Sequence, residues 1–403
     1  MADWSNLHQD VLNLIVSELS LHDLLCCTIV CGTWLRTIRD LRRYCSKLCH
    51  QSPWLAFSGS DDDIGSAIDD PSAAHFFSLS EQKVYTIPLP QPPIRNRLFL
   101  GSSYGWLITI DECFKVQLLN PINGAQINIP FILTLDNIGS FCDRWGRIRG
   151  DANNIIHNQY LGEEIPMLNF KAMLSSDPSR GDYIVTLIHY PYGGISITRS
   201  NDNKWTTMPL PDLYEDAIFY KDQLYATFYG RIDIWDDLDQ EWKMVVPESE
   251  VDEIYPFHFP FWLLVQTHSC DLLHVWGKIV PTAKHDNTKI EVPLMIVDRL
   301  DIKNGTSLRV KNLGEYALFL CNNQSLCLSC KDFPELKPNH IYFTNDFWWS
   351  NNDRWWKNHH VKKCRDLIVY DLENETLSYI LHSDARLNMP PPIWITPSPL
   401  LND

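Results

Sequence analysis

Along most of this chain the hydrophobic and polar positions alternate with a period of two, and only near the N-terminus does the period lengthen to that of a helix. In Gln9–Leu19 the apolar residues Val11, Leu12, Ile15, Val16 and Leu19 fall three and four apart, which predicts an amphipathic helix. Ser20 followed by Asp23 has capping-box spacing, so a second helix is expected from about Leu21, with Leu24, Leu25, Thr28 and Ile29 on its apolar side. Gly32 is expected to break it, and Thr33 to cap a third segment holding Trp34, Leu35 and Ile38. Roughly 50 residues of short helices build little core of their own. Part of their apolar surface therefore awaits a partner or the rest of the chain.

Beyond residue 50 the period of two takes over. The clearest unit runs from Leu213 to Val246. Ala217–Tyr220, Leu224–Tyr229, Arg231–Trp235 and Trp242–Val246 read as strands, separated by Lys221-Asp222, Gly230 and the polar run Asp236–Gln240. Four antiparallel strands with tight turns are the pattern of a propeller blade. Its outer hairpin recurs, with turns at Ser80–Gln82, Asn123-Gly124, Asn201–Asn203, Asn304-Gly305 and Asn374-Glu375. Six hairpins at a mean spacing of about 50 residues predict about six kelch-like blades. A propeller exposes fewest edges when its ends are joined, so "IWITPS" near the C-terminus is expected to pair with the first sheet after residue 54. The fold class expected is mainly β: a six-bladed propeller over residues 51–403 behind a small all-α domain over residues 1–50.

Composition supports this division. Fifteen Trp, sixteen Tyr and seventeen Phe suit sheet faces. The net charge of −16 is uneven: in the first fifty residues five acids balance five bases, so the deficit lies beyond them. An acidic body argues against nucleic acid or an anionic membrane as the main partner. The N-terminus lacks a basic leader region, and the run Ile254–Val265 is short and broken by prolines. Reduced thiols and a cytoplasmic or nuclear location are therefore expected for the twelve cysteines and the chain.

Candidate chemistry is sparse. Gly101-Ser102-Ser103-Tyr104-Gly105 matches the G-x-S-x-G string of serine hydrolases, but Trp106–Ile110 after it reads as a strand, where a nucleophile elbow needs a helix. Cys327 and Cys330 form C-x-x-C, yet Cys321, His340, His359, His360 and Cys364 supply no recognised second ligand pair. No catalytic residue, metal site or cofactor is expected. A propeller hydrolase or lactonase, with carboxylates converging on the channel, is the alternative from another functional class.

The segment "NDFWWSNNDRWWKNHHVKK" interleaves Trp348, Trp349, Trp355 and Trp356 with Lys and His. It suits packing on the propeller rim, an interface hot spot for a protein substrate, or a single-stranded nucleic-acid platform. The long connection Ile138–Glu164 is a second candidate for a recognition loop.

Two resemblances bear on function. "LHQDVLNLIVSELSLHDLLCCTIVCGTWLRTI" resembles an F-box in Leu7, Val11-Leu12, Ile15, Leu19, Asp23-Leu24, Val30-Cys31 and Trp34. "LGSSYGWLITIDE", "LLNPINGAQINIP", "KPNHIYFTND", "IVYDLENET" and "PPPIWITPS" resemble the kelch-like propeller of a plant F-box family, the KIB class. Together they imply a non-catalytic substrate adaptor of a Skp–cullin–F-box ubiquitin ligase. Leu7, Val11, Leu12, Ile15, Leu19, Leu24, Val30 and Trp34 would then contact the Skp-type adaptor, and through it a cullin. His8 stands where the F-box pattern has proline, which keeps open a scaffold whose F-box binds no adaptor.

Overall fold

The computed structural model describes residues 7–19, 23, 27, 31–34, 36–37, 52–57, 73–94, 97–111, 115–132, 171–189, 194–209, 214–247, 261–283, 289–321, 324–344, 367–381 and 392–396. These form one α-helix, α1 (Gln9–Glu18), other helical positions before residue 38, and strands from β1 (Trp54–Phe57) to β25 (Ile393–Ile395).

The strands make six sheets. Blade 1 is β25, β1, β2 (Ala73–Ser78) and β3 (Lys83–Pro88); blade 2 is β4 (Arg97–Ser103), β5 (Trp106–Asp111), β6 (Val116–Leu119) and β7 (Gln126–Asn128). Blade 3 is β8 (Lys171–Leu174), β9 (Ile184–His189), β10 (Gly194–Arg199) and β11 (Thr206–Thr207). Blade 4 is β12 (Asp216–Tyr220), β13 (Gln223–Phe228), β14 (Arg231–Asp236) and β15 (Glu241–Val246). Blade 5 is β16 (Phe261–Gln266), β17 (Leu272–Ala283), β18 (Lys289–Asp301) and β19 (Thr306–Val310). The inner strands meet around the centre: β25 against β4, β4 against β8, β8 against β12, and β12 against β16. The molecule is thus mainly β, a six-bladed propeller, and all six hairpins expected from the sequence are outer hairpins of its blades.

Blade 6 departs from the simple pattern. Its order is β21 (Leu326–Ser329), β20 (Tyr316–Leu320), β22 (His340–Thr344), β23 (Leu367–Asp371) and β24 (Thr376–Leu381), with β20 parallel to β22. The hairpin β20–β21 adds a fifth strand, and β21 faces β16 of blade 5.

Turn geometry follows from residue choice. Tyr104-Gly105, Lys221-Asp222 and Tyr229-Gly230 are two-residue loops in which both residues have positive φ. That is the type I′ conformation, whose twist matches the flanking strands. Lys221-Asp222 has no glycine, so the paired strands impose this conformation on L residues at some cost.

The core lies in the seams between blades. One cluster joins Leu100, Trp106 and Ile108 of blade 2 to Ala172, Leu174 and Val185 of blade 3. Further clusters join blades 3 and 4, and blades 4 and 5. The largest spans blades 5, 6, 1 and 2, with Trp54 stacked on Tyr85 at 5.2 Å and Phe319 edge-on to Trp394 at 5.0 Å. Such aromatic pairs add about 0.5–1.5 kcal/mol each beyond area burial.

The expected closure is present. β25 pairs antiparallel with β1 through Trp54↔Ile395, Leu55↔Trp394 and Ala56↔Ile393, so blade 1 is built from both ends of the propeller segment. The short β25 is also held across its faces. The Trp394 N–H reaches Cys321 Sγ at 3.5 Å on the blade 6 side, and the Trp394 carbonyl accepts from Ser102 Oγ of blade 2.

Candidate functional site

Two regions of the described residues carry features that a partner could read: the helical segment and the mouth of the propeller channel.

In the helical segment, α1 turns Leu12 and Val16 inward, both fully buried, against Trp34. Leu7, Ile15, Leu19, Cys27 and Cys31 are partly buried around them. Gln9 Nε2 ties the helix to the later segment through Thr37 Oγ1 at 2.8 Å. The opposite side of α1 exposes Val11 at 45% and Leu14 at 70%. The residues expected from sequence therefore divide. Leu12 and Trp34 form the module's own core, Leu7, Ile15 and Leu19 lie at its margin, and Val11 faces out. Leu24 and Val30 lie outside the described residues. Leu14 was not anticipated: beside Leu12 and Ile15 it continues the apolar run, and only helical phase separates it from the buried stripe.

One local expectation is corrected. Residues 32–34 are already helical and Cys31 is not, so the third segment begins at Gly32 and Thr33 lies inside it. A glycine after a helix reads as a stop, yet here it is the first helical residue of the next, where the first N–H groups need no intrahelical partner.

His8 is the N-cap of α1. Its backbone, at φ −60° and ψ 140°, lies in the range proline requires. Its imidazole Nδ1 accepts from the Asp10 N–H at 3.4 Å, a long cap contact.

The channel mouth is built where inner strands end. β4 ends at Ser103 before the Tyr104-Gly105 turn, β16 ends at Gln266, and Gln324 and Ser325 lead into β21. These segments surround a cleft of about 440 Å³ that also takes wall residues from blades 1 and 4. Among the described residues that line it, none is Asp, Glu, Lys or Arg. Ser103 Oγ donates to Gln324 Oε1 at 2.6 Å, and Tyr104 OH donates to the Ser175 carbonyl at 3.0 Å. Tyr104 is 44% exposed and Cys270 is exposed at the rim, while Ser325 is buried in the wall.

The hydrolase-like string belongs to this wall, and each of its glycines has a structural reason. A Cβ on Gly101 would lie 1.9 Å from the Ala172 carbonyl oxygen, so the close approach of β4 to β8 requires glycine. Gly105 holds φ 79° in the type I′ turn. Strand β5 follows where a nucleophile elbow would have a helix. Cys327 lies in β21, and burial pushes its thiol up to about 12, which keeps it protonated near neutrality.

Buried charge is committed to the seams. Lys171 Nζ of β8 meets Asp216 Oδ1 of β12 at 2.7 Å as an ion pair outside hydrogen-bond geometry. Asp216 Oδ2 accepts from the Leu264 N–H of β16 at 2.7 Å, so one carboxylate joins blades 3, 4 and 5. Burial still raises its pKa, the Lys171 charge opposing. Among the described residues no group of three or more His, Cys, Asp or Glu is placed to hold a metal ion, and no helix is long and apolar enough to cross a membrane. Trp348, Trp349, Trp355, Trp356 and the Ile138–Glu164 connection lie outside the described residues.

Comparison with known proteins gives this architecture its family. The KIB1-4 beta-propeller family model matches residues 76–384 and the F-box domain model matches residues 4–46. F-box protein SKIP23 of Arabidopsis thaliana is 29% identical over 239 residues, 56% of this chain and 53% of SKIP23, so the match spans about half of that relative. The Arabidopsis F-box protein At4g17565 is 22% identical over 96% of this chain and 94% of its own. The F-box/kelch-repeat protein At1g64840, also from Arabidopsis, is 24% identical over 43% and 45% of the two chains. The chain therefore belongs to the KIB1-4 beta-propeller family and carries an F-box domain ahead of the propeller.

Proposed function

We propose that this protein is the substrate-recognition subunit of a Skp–cullin–F-box ubiquitin ligase, and that it performs no chemistry of its own. The observation that carries this reading is the pairing, on one chain, of an F-box match over residues 4–46 with a propeller match over residues 76–384. The F-box would dock a Skp-type adaptor, the adaptor would bridge to a cullin, and the propeller would hold the protein to be ubiquitinated.

The helical segment supports the first step. Val11 and Leu14 are apolar and exposed on α1, a combination suited to packing against a partner helix. Leu7, Ile15, Leu19, Leu24 and Val30 would extend or back that surface, while Leu12 and Trp34 would support it from behind. His8 in the place of proline is compatible with adaptor binding, since its backbone already has proline-like φ. Trp348, Trp349, Trp355 and Trp356 would add aromatic anchors for the substrate, and the complex would act in the cytoplasm or nucleus.

Affinity purification of the full chain with mass spectrometry tests the reading. Recovery of a Skp-type adaptor and a cullin is the expected result. Recovery of neither, with the propeller folded, would leave a scaffold with a non-binding F-box.

A further inference from the structure

The cleft at the channel mouth differs from the protein around it. The chain carries a net charge of −16, yet among the described residues no carboxylate, ammonium or guanidinium lines this wall. Amides, hydroxyls, two thiols and the His268 imidazole line it instead, beside Ile218 and Leu326, and some of the hydrogen-bonding capacity of the amides and hydroxyls is unused. Ser325 is 4% exposed and its Oγ has no hydrogen-bond partner. A buried hydroxyl in that condition is held at a cost, and it is relieved when an acceptor or donor arrives. Gln324 spends Oε1 on Ser103, and its Nε2 has no partner among the described residues. Gln266 is exposed at the end of β16, and its side-chain amide makes no hydrogen bond among the described residues.

Three features together point to a ligand. The free groups include both donors and acceptors, so they match peptide main chain and amide or hydroxyl side chains. The absence of fixed charge makes a charged ligand costly, because its desolvation would go uncompensated. The rim is open, with Tyr104 and Cys270 exposed, whereas a small-molecule site encloses most of its ligand. Its volume of about 440 Å³ fits a short stretch of chain.

We propose that this cleft, walled by Ser103, Tyr104, Gln266, Gln324 and Ser325, binds an uncharged polar peptide segment rich in Asn, Gln, Ser or Thr. The proposal deepens the substrate-recognition reading by naming the chemistry of the segment held at the channel mouth. The Ser103–Gln324 bond fixes the amide so that Nε2 is presented to the ligand, and Gln266 offers a second amide from blade 5.

The test exposes the full-length protein to an array of twelve-residue peptides in three sets: neutral and polar, acidic, and basic. Wild type is expected to retain neutral polar peptides and few of the others. Ser325→Ala and Gln266→Ala should each weaken the best peptides by about tenfold, the effect of one lost hydrogen bond of ~1.4 kcal/mol. Among the described residues the Gln266 side chain makes no bond that its loss would break, so this variant reads binding rather than folding. Gln266→Glu should move the preference towards basic peptides. Preference of wild type for charged peptides, or unchanged binding in both alanine variants, overturns the proposal. Complete displacement of the peptides by free acetamide or glycerol overturns it too, since a small molecule would then be the natural occupant. Adaptor capture by the same preparations is measured in parallel. If capture fails while peptide selection stands, the ligase reading falls and the cleft assignment survives.

Discussion

The carbonyl of Trp394, in the last strand, accepts a hydrogen bond from Ser102, 292 positions earlier in blade 2. The Trp394 N–H meanwhile points to Cys321 in blade 6. The backbone of one residue in a three-residue strand is thus clasped by both neighbouring blades, and ring closure does not rest on the β1–β25 ladder alone.

Ser102→Ala removes that donor and leaves a buried carbonyl with one partner fewer. A loss of about 1–2 kcal/mol is expected, in one cooperative transition. Trp394→Ala, which empties the edge-on contact with Phe319, should cost about 3–5 kcal/mol. Removal of the chain from Pro390 onward should lower the melting temperature of the whole propeller. Guanidinium melts followed by tryptophan fluorescence measure the first two, and a thermal melt the third.

Gly101→Ala tests the seam between blades 2 and 3. The added methyl meets backbone, not a mobile side chain, so β4 or β8 must move. A destabilisation of at least ~2 kcal/mol is expected, read by thermal unfolding. Gly124→Ala, in an open turn, should cost less, through its positive φ alone.

Leu14→Asp and Leu12→Asp should differ in kind. Leu14 is 70% exposed, so its replacement should leave the helical segment folded and weaken adaptor binding at least about tenfold. Leu12 is fully buried, and an unpaired carboxylate there should unfold the segment itself. Circular dichroism of the helical signal beside adaptor titration separates the two outcomes. His8→Pro exchanges a long cap contact for a restricted unfolded chain, two effects of similar size and opposite sign. Adaptor affinity should change less than about threefold.

Stability should show a plateau between two falling limbs as pH varies. Burial pushes the His274 pKa from 6.5 down to about 4, where it stacks on Trp262 and meets Thr227 Oγ1 at 3.1 Å. Between pH 4 and 6.5 the unfolded chain binds a proton that the folded chain refuses, so stability rises with pH. Burial, with Asp216 beside it, raises Glu215 from 4.5 to about 8. Between pH 4.5 and 8 the folded chain keeps a proton that the unfolded chain releases, so stability falls with pH. The slopes oppose each other from pH 4.5 to 6.5, leaving an acid limb from His274 and an alkaline limb from Glu215. Glu215→Gln should shrink the alkaline limb, leaving the part owed to Asp216, whose pKa burial also raises, and should steepen the rise on the acid side. Denaturant melts at stepped pH give the profile.

What the sequence made legible was local. Asn123-Gly124 and Asn304-Gly305 announce hairpins because φ above zero selects such residues, and the four strands of blade 4 follow from alternation with short loops. The parallel pairing of β20 with β22 left no such trace: no tight turn joins parallel strands, and β21 with a ten-residue connection lies between them. The cleft was illegible for a related reason. Ser103, Gln266 and Gln324 are far apart in sequence and meet only because three inner strands end on one side of the ring. On α1, periodicity identified an apolar stripe but did not separate Leu12, which fills the segment's core, from Leu14, which faces solvent.

The pairing of Trp54 with Ile395 also sets a timetable for synthesis. β1, β2 and β3 leave the ribosome first, but the edge of β1 that receives β25 stays open until about 340 more residues have been added. At ~5–20 residues per second that edge is unpaired for about 20–70 s. For that interval Trp54, Leu55 and Ala56 present a short apolar strand with free backbone groups, the template on which chains misassemble. A nascent-chain binding factor that shields residues 54–57 should therefore raise the yield of folded protein more than one acting on blade 4, whose four strands all emerge within about 30 residues of one another.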